Sequence, residues 1–306
     1  MYLVTGGAGF IGSHLVEALV RAGESVRVLD NLTTGQFSNL HAVRDRIEFV
    51  RGDLRDRGTV ERAVAGTEVI LHHAAIASVP QSMDDPRTTY EVNATGTLNV
   101  LLAARDAGTR RVVYASSSAI YGDDPTLPKR EDLPPAPRSP YAVCKLLGEE
   151  LCRSVTAAYR LSTVCLRYFN VFGQRQDPHS PYAAVIRKFV ACLRENVPLP
   201  IYGDGKQTRD FIPVEAVVAA NLEAASRPGI DGEVFNIGSG RATSLLELAE
   251  ALGQASGRRP ELRFLPQRPG DVRDSWADVS RAVKGLGLSP ASLTDGLRAI
   301  WNEVQR

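Results

Sequence analysis

Tyr141 and Lys145 stand four residues apart in Tyr141-Ala142-Val143-Cys144-Lys145, and the hydroxyl run Ser116-Ser117-Ser118 lies upstream of them. On a helix this spacing puts a phenol and an ammonium on one face. A phenol with a pKa near ~10 is a poor base at neutral pH. A nearby ammonium, joined by the positive ring of a nicotinamide, favours the phenolate and lowers that pKa. Lys145 can also hold the nicotinamide ribose, and Ser117 can bridge the tyrosine and a substrate. The three side chains suit proton transfer coupled to hydride transfer. Tyr-x-x-x-Lys by itself is equally the spacing of a buried tyrosine and a surface lysine, so the rest of the chain decides the reading.

A second signal does so. Gly6-Gly7-Ala8-Gly9-Phe10-Ile11-Gly12 follows a short apolar run and precedes an amphipathic segment. In such a turn the first glycine permits the tight bend, the second lets backbone approach a pyrophosphate, and the third lets the helix pack close to the sheet. The helix that follows presents its first N–H groups to the phosphates. Asp30 closes the next strand, where a carboxylate accepts ribose hydroxyls and repels a 2′-phosphate. The following residue is Asn31, not an arginine, so the expected cofactor is NAD rather than NADP. Asp53, followed by Leu54, is placed to reach the adenine. Ala74 and Ala75 are small enough to let a dinucleotide lie against the backbone, and Asn93 either supports the loop beside them or faces solvent.

These residues need a parallel sheet to bring them together. Tyr2–Thr5, Ser25–Asp30, Ile47–Asp53, Val69–Ala75 and Arg111–Ser117 read as strands, and 13–21, 57–65 and 90–107 as helices with apolar residues at i, i+3 and i+4. A long helix follows Ser139-Pro140 and runs to Tyr159, and Ser162–Val171 reads as a sixth strand. The alternation predicts an α/β fold with a Rossmann-type, doubly wound parallel sheet, and ligands at the carboxyl ends of its strands. Beyond about residue 172, loops rich in Pro, Gly and Asp separate short elements. The expected division is therefore 1–172 for the cofactor and 173–306 mainly for a smaller α/β substrate-binding domain. Val234–Ile237 is a candidate strand that returns to one of the sheets.

Bulk properties exclude other classes. The chain has 306 residues, 36 basic and 35 acidic, and no basic stripe, so neither nucleic acid nor a membrane surface is an expected partner. The four cysteines (Cys144, Cys152, Cys165, Cys192) show no C-x-x-C spacing and read as free thiols in a reducing compartment. No zinc-type spacing appears, and His72-His73, at the end of an apolar run, reads as structural. No signal-peptide pattern and no apolar stretch of membrane-spanning length is seen, so a cytoplasmic location is expected.

With these residues in view, the chain resembles the extended short-chain dehydrogenases/reductases, in their NAD-dependent sugar-nucleotide epimerase/dehydratase group. Thr5–Gly12, His72–Ala75, Ser116–Gly122, Tyr141–Lys145, Arg167–Gly173, Gln207–Phe211 and Arg268–Asp271 carry the resemblance. It implies a catalytic Ser117, Tyr141 and Lys145, with Ser118 as a second substrate contact. It implies cofactor contacts at Gly6, Gly9, Phe10, Ile11, Gly12, Asp30, Asn31, Asp53, Leu54, Ala74, Ala75, Asn93, Tyr141, Lys145 and Tyr168. Asn170, Arg209 and Arg268 match the diphosphate ligands, Asp271 the ribose ligand, and Tyr202 the residue at the uracil; Ser78, Ala184 and Val185 complete the implied substrate contacts. Ser275 matches a gate residue, where a serine leaves room for an N-acetyl group. A 4,6-dehydratase places Asp-Glu after the catalytic hydroxyl, whereas this chain has Ser118-Ala119. A uronate enzyme usually adds an arginine near the sugar, and 77–82 has none. The resemblance thus implies a UDP-hexose 4-epimerase that takes UDP-GlcNAc/UDP-GalNAc and UDP-Glc/UDP-Gal, with a UDP-glucuronate 4-epimerase as the alternative and a non-catalytic NAD-binding regulator behind it. It also implies a homodimer, built from the helices at 90–107 and 141–159.

Overall fold

Alternating strands and helices assemble as periodicity dictates, around a sheet buried on both faces. The computed structural model describes residues 1–176, 185–267, 273–289 and 291–305. Strands β1 (Tyr2–Thr5), β2 (Val26–Asp30), β3 (Ile47–Arg51), β4 (Val69–His72), β5 (Arg111–Ser117) and β6 (Ser162–Tyr168) lie in one sheet. Helices α1 (Phe10–Arg21), α2 (Arg57–Val64), α3 (Val79–Asp84), α4 (Pro86–Tyr90), α5 (Gly96–Asp106) and α6 (Pro140–Tyr159) connect them. Later in the chain come β7 (Asn170–Phe172), α7 (Val185–Glu195), β8 (Leu199–Tyr202), β9 (Thr208–Arg209), β10 (Phe211–Pro213), α8 (Val214–Ser226) and β11 (Val234–Ile237). The last elements are β12 (Thr243–Ser244), α9 (Leu245–Ser256), β13 (Leu262–Leu265), β14 (Asp274–Ser275), α10 (Ser280–Leu286) and α11 (Leu293–Val304).

The main sheet is parallel throughout, in the order β11-β6-β5-β4-β1-β2-β3. Successive side chains of each strand enter opposite layers. Val4, Val28, Val113 and Val164 pack with Leu15, Val16 and Leu19 of α1 and Val217 and Ala220 of α8. Leu3, Leu29, Ile70 and Val112 pack with Val60 and Val64 of α2, Val100 and Leu101 of α5, and Cys152 and Val155 of α6. A separate core gathers Ile186, Phe189 and Val190 of α7, Leu248 and Leu252 of α9, and Leu297, Ile300 and Trp301 of α11.

Five boundaries differ from the periodicity by more than one residue. The first helix starts at Phe10, not at Ser13. β3 stops at Arg51, so Asp53 stands in the loop beyond it. β4 stops at His72: the His73 N–H still reaches the Thr5 carbonyl along with its hydroxyl, and the Ala74 N–H turns to the Thr5 side chain. The helix expected from Tyr90 passes through a π-turn at Glu91–Thr95 before α5. The sixth strand breaks at Phe169, whose ring enters a pocket with Ile120, Tyr121 and Ala277; β7 then leaves the sheet and pairs with β10. Val234–Ile237 does join the main sheet, in parallel register with β6. All four cysteines are free thiols.

Candidate active site

The cofactor cradle is set by backbone proximity. Gly6 has φ +69°, open to glycine without strain, and a Cβ there would lie 2.7 Å from Ala74 N. A Cβ on Gly12 would lie 2.1 Å from Gly6 O, so only glycine lets α1 start this close to β1. The N-cap of α1 is Gly9, which has no side chain to satisfy the first N–H groups, and Phe10 and Ile11 form the helix's first turn. Asp30 is buried, with Oδ2 accepting from Ala8 N at 2.9 Å and Oδ1 from Leu32 N at 2.8 Å. Its carboxylate thus caps a turn and is aimed at the glycine loop at the same time. Close backbone, an open helix start and a fixed carboxylate at the end of β2 fit a dinucleotide.

The neighbouring residues divide between this loop and the core. Asn31 donates to Asp53 at 3.0 Å, and Arg55 clamps the same carboxylate through Nε and Nη2, holding it well below the usual carboxylate range. Leu54 is buried against Gly96, in the layer with α5. Asn93 supports the loop: its amide accepts from Ile76 N at 2.8 Å and donates to Ile76 O at 3.0 Å. That arrangement aligns Ala74 and Ala75 rather than directing Asn93 outward. Tyr168 is buried, its hydroxyl bonded to His73 Nε2 and to Asn221. His72 is structural: Nδ1 meets Thr5 Oγ1 at 2.7 Å and Nε2 meets Thr97 Oγ1 at 3.0 Å. Burial brings its pKa down to about 3, so the ring is neutral and bridges the two hydroxyls.

The reactive trio meets at the carboxyl end of β5. Ser139 caps α6 by accepting from Ala142 N, and Pro140 occupies the first turn, where its missing N–H costs nothing. One turn into the helix, Lys145 Nζ donates to Ala115 O at 2.6 Å and stands 5.0 Å from the Tyr114 ring and 5.9 Å from the Tyr141 ring. Ser117 ends β5, accepts from Ala119 N at 3.2 Å, and lies close enough to the Tyr141 phenol to favour its ionised form; Ser118 begins the 3-10 turn that follows. Burial pushes the Tyr141 phenol up, with Ser117 pulling the other way, and brings Lys145 down to about 8. The lowered phenol pKa expected from the sequence depends on the nicotinamide charge; in the chain itself desolvation outweighs the pull of Ser117.

The substrate side is knitted by residues far apart in sequence. Asn170 begins β7, and both its backbone N and its Nδ2 donate to Asp210 O. Asp210 is fully buried, and its carboxylate accepts from Ser239 N and Oγ, Gly240 N and Ala277 N. This ties β9 and β10 to the end of β11. Arg209 lies in β9 opposite Ser275 of β14, and its Nη1 donates to Thr208 O and Arg273 O. Tyr202 ends β8, its carbonyl accepting from Gln207 Nε2 at 2.7 Å. Ser78 caps α3 through Gln81 N, and Val185 opens α7. Ala184, Arg268 and Asp271 lie outside the described residues. Sequence reasoning assigned no role to Thr5 or Asp210; an acid between Arg209 and the apolar pair Phe211-Ile212 was the available signal for the second.

The model of the NAD dependent epimerase/dehydratase family matches residues 2–238. The chain belongs to that family. Its cofactor is NAD, in accord with the cradle. It is 42% identical over 300 residues to the UDP-glucose 4-epimerase of Mycolicibacterium smegmatis, covering 96% of this chain and 95% of the relative. Among solved structures it is similar to the UDP-N-acetylglucosamine 4-epimerase of Methanobrevibacter ruminantium (35% identity, TM-score 0.94, 100% and 98% of the two chains). It is also similar to the UDP-glucose 4-epimerase of Thermus thermophilus in complex with NAD (38%, 0.89, 99% and 98%). The UDP-glucuronic acid 4-epimerase of Bacillus cereus matches at 33% identity and TM-score 0.90, over 99% and 98% of the chains.

Proposed function

We propose that this protein is a UDP-sugar 4-epimerase acting on UDP-GlcNAc/UDP-GalNAc and on UDP-Glc/UDP-Gal. The observation that carries the reading is Ser117, Tyr141 and Lys145 converging at the end of β5, beside the glycine cradle, in a member of this family. Bound NAD supplies a hydride acceptor that becomes the donor for the return step. Tyr141 takes the proton from the sugar O4 and later gives it back, with Ser117 sharing the hydrogen bond to that oxygen. Lys145 favours the phenolate and holds the ribose. Arg209 and Asn170 grip the diphosphate, a task that suits a planar guanidinium, while the 4-keto sugar turns over between the two transfers. Products are isomers, so no cofactor is consumed.

The absence of an arginine from 77–82, together with a helix-capping role for Ser78, supports neutral sugars over a uronate. Ser275, in register with Arg209, supports a site that accepts an N-acetyl group. The test is an NMR time course of purified protein with UDP-GlcNAc, UDP-Glc and UDP-glucuronate, with and without added NAD. C4 epimers from the first two are the expected result. Turnover of UDP-Glc alone removes the N-acetyl reading, and turnover of UDP-glucuronate alone replaces the proposal.

A further inference from the structure

One turn beyond Lys145 on the same stripe of α6, Glu149 is buried in the core with its carboxylate ionically paired. Arg167 of β6 grips it with two parallel bonds, Nε to Oε1 at 2.9 Å and Nη2 to Oε2 at 2.8 Å. Ser116 of β5 donates to Oε1. The third arm of Arg167 donates to the Tyr121 hydroxyl at 2.8 Å, and that hydroxyl donates to Asn236 of β11 at 2.7 Å. Two consecutive residues of β5 therefore bond to two successive turns of α6, Ala115 to Lys145 and Ser116 to Glu149, and Ser117, next along β5, lies beside Tyr141 one turn earlier on the helix.

Stability alone does not account for this pair. Burying two charges has a desolvation cost that apolar residues of like volume avoid, and replacing such a pair by them is often neutral or stabilising. What apolar side chains cannot supply is a fixed direction. We propose that Glu149 is a positioning residue for the reaction: held between Arg167 and Ser116, it sets the rotation of α6, and so where the Tyr141 hydroxyl and the Lys145 ammonium stand relative to Ser117. The inference rests on the 4-epimerase reading above for its kinetic consequence only. It also has an electrostatic side. Lys145 faces Tyr141, Cys144 and Glu149 on α6, Tyr114 on β5, His72 at the end of β4 and His73 just beyond it, and Arg167 of β6 behind Glu149. Burial keeps the two histidines neutral and pushes Cys144, Tyr114 and Tyr141 up, which leaves Glu149 as the anion that favours the ammonium.

The test compares Glu149→Gln, Glu149→Asp and the double variant Glu149→Met/Arg167→Met, each NAD-loaded. It follows epimerisation of UDP-Glc, thermal melting, and the titration of Lys145 by carbon-13 NMR of labelled lysine. Glu149→Gln is expected to lower kcat by ~10-fold or more with KM little changed, as displaced reacting groups do, and to move the Lys145 titration to lower pH. Glu149→Asp keeps the charge but not the reach, so kcat falls while the titration stays. The double variant melts no lower than the wild type and still shows the kcat loss, which separates positioning from folding. A double variant with wild-type kcat overturns the proposal. So does a Glu149→Gln protein that is folded, as active as the wild type, and unshifted at Lys145. If the wild type turns over no UDP-sugar, the 4-epimerase reading fails, and the Lys145 titration still decides the role of Glu149.

Discussion

At the scale of single residues, the reading turns on one hydroxyl. Tyr141→Phe keeps the half-buried ring and removes the group that moves the O4 proton. Turnover of UDP-Glc should fall by ~10²-fold or more while NAD affinity is unchanged, as followed by coupled kinetics and a cofactor titration. A regulator that merely holds NAD would be indifferent to the change. Ser275→Tyr fills the space opposite Arg209, so UDP-GlcNAc turnover should drop well before that of UDP-Glc in a competition assay. His72 makes a different prediction. Its folded pKa is about 3 against an ordinary 6.5, so the unfolded chain takes up a proton that the folded chain refuses. The stability this brings is complete above pH 6.5 and is lost progressively as pH falls towards 3. Urea midpoints should decline between pH 7 and pH 5, with a contribution of about 2 kcal/mol from this one ring.

At the scale of elements, α6 does most to build the site. It is started by Ser139 and Pro140, ended by Arg160 in the left-handed region at φ 58°, and laid against β5 through Gly148. A Cβ on Gly148 would lie 2.2 Å from the Tyr114 hydroxyl, which is itself buried. Gly148→Ala should lift the helix off the sheet, cost about 1–3 kcal/mol in thermal melting, and lower kcat as Tyr141 moves from Ser117. The start and period of this helix were legible because its cap and proline are local signals. Glu149 was not, since its partners Arg167 and Ser116 come from two other strands and no spacing within α6 announces them. The break at Phe169 was equally hidden: β6 and β7 share one apolar run, and only the pairing of β7 with β10 separates them.

At the scale of the whole molecule, the helices beside the site leave an apolar surface. Tyr90 at the end of α4 and Val143 and Tyr159 of α6 are exposed, with Met83 of α3 60% accessible. Large apolar side chains left outside in this way mark contact surfaces, and we propose that two copies of the chain pair there. Sedimentation should give a dimer at micromolar concentration, and Val143→Glu should shift it to the monomer without loss of NAD. A monomeric wild type would withdraw the proposal. Among the described residues no helix is long and apolar enough to cross a membrane.

The sequence by itself determined what depends on neighbours in the chain. The glycine turn, the acid closing β2, the Tyr–Lys spacing, the serines ending β5 and the alternation of strand and helix are all readable there, because turn chemistry and periodicity act over a few residues. Tertiary structure decided what depends on encounter. It returned β11 to the edge of the main sheet and laid α8 against α1, so that chain from beyond residue 172 completes the first core. It gave Asp210 its ring of donors, set Arg209 beside Ser275, and turned Asn93 towards Ile76. In each case a buried polar group had to find partners brought together only by folding, and burial fixed which ones it met.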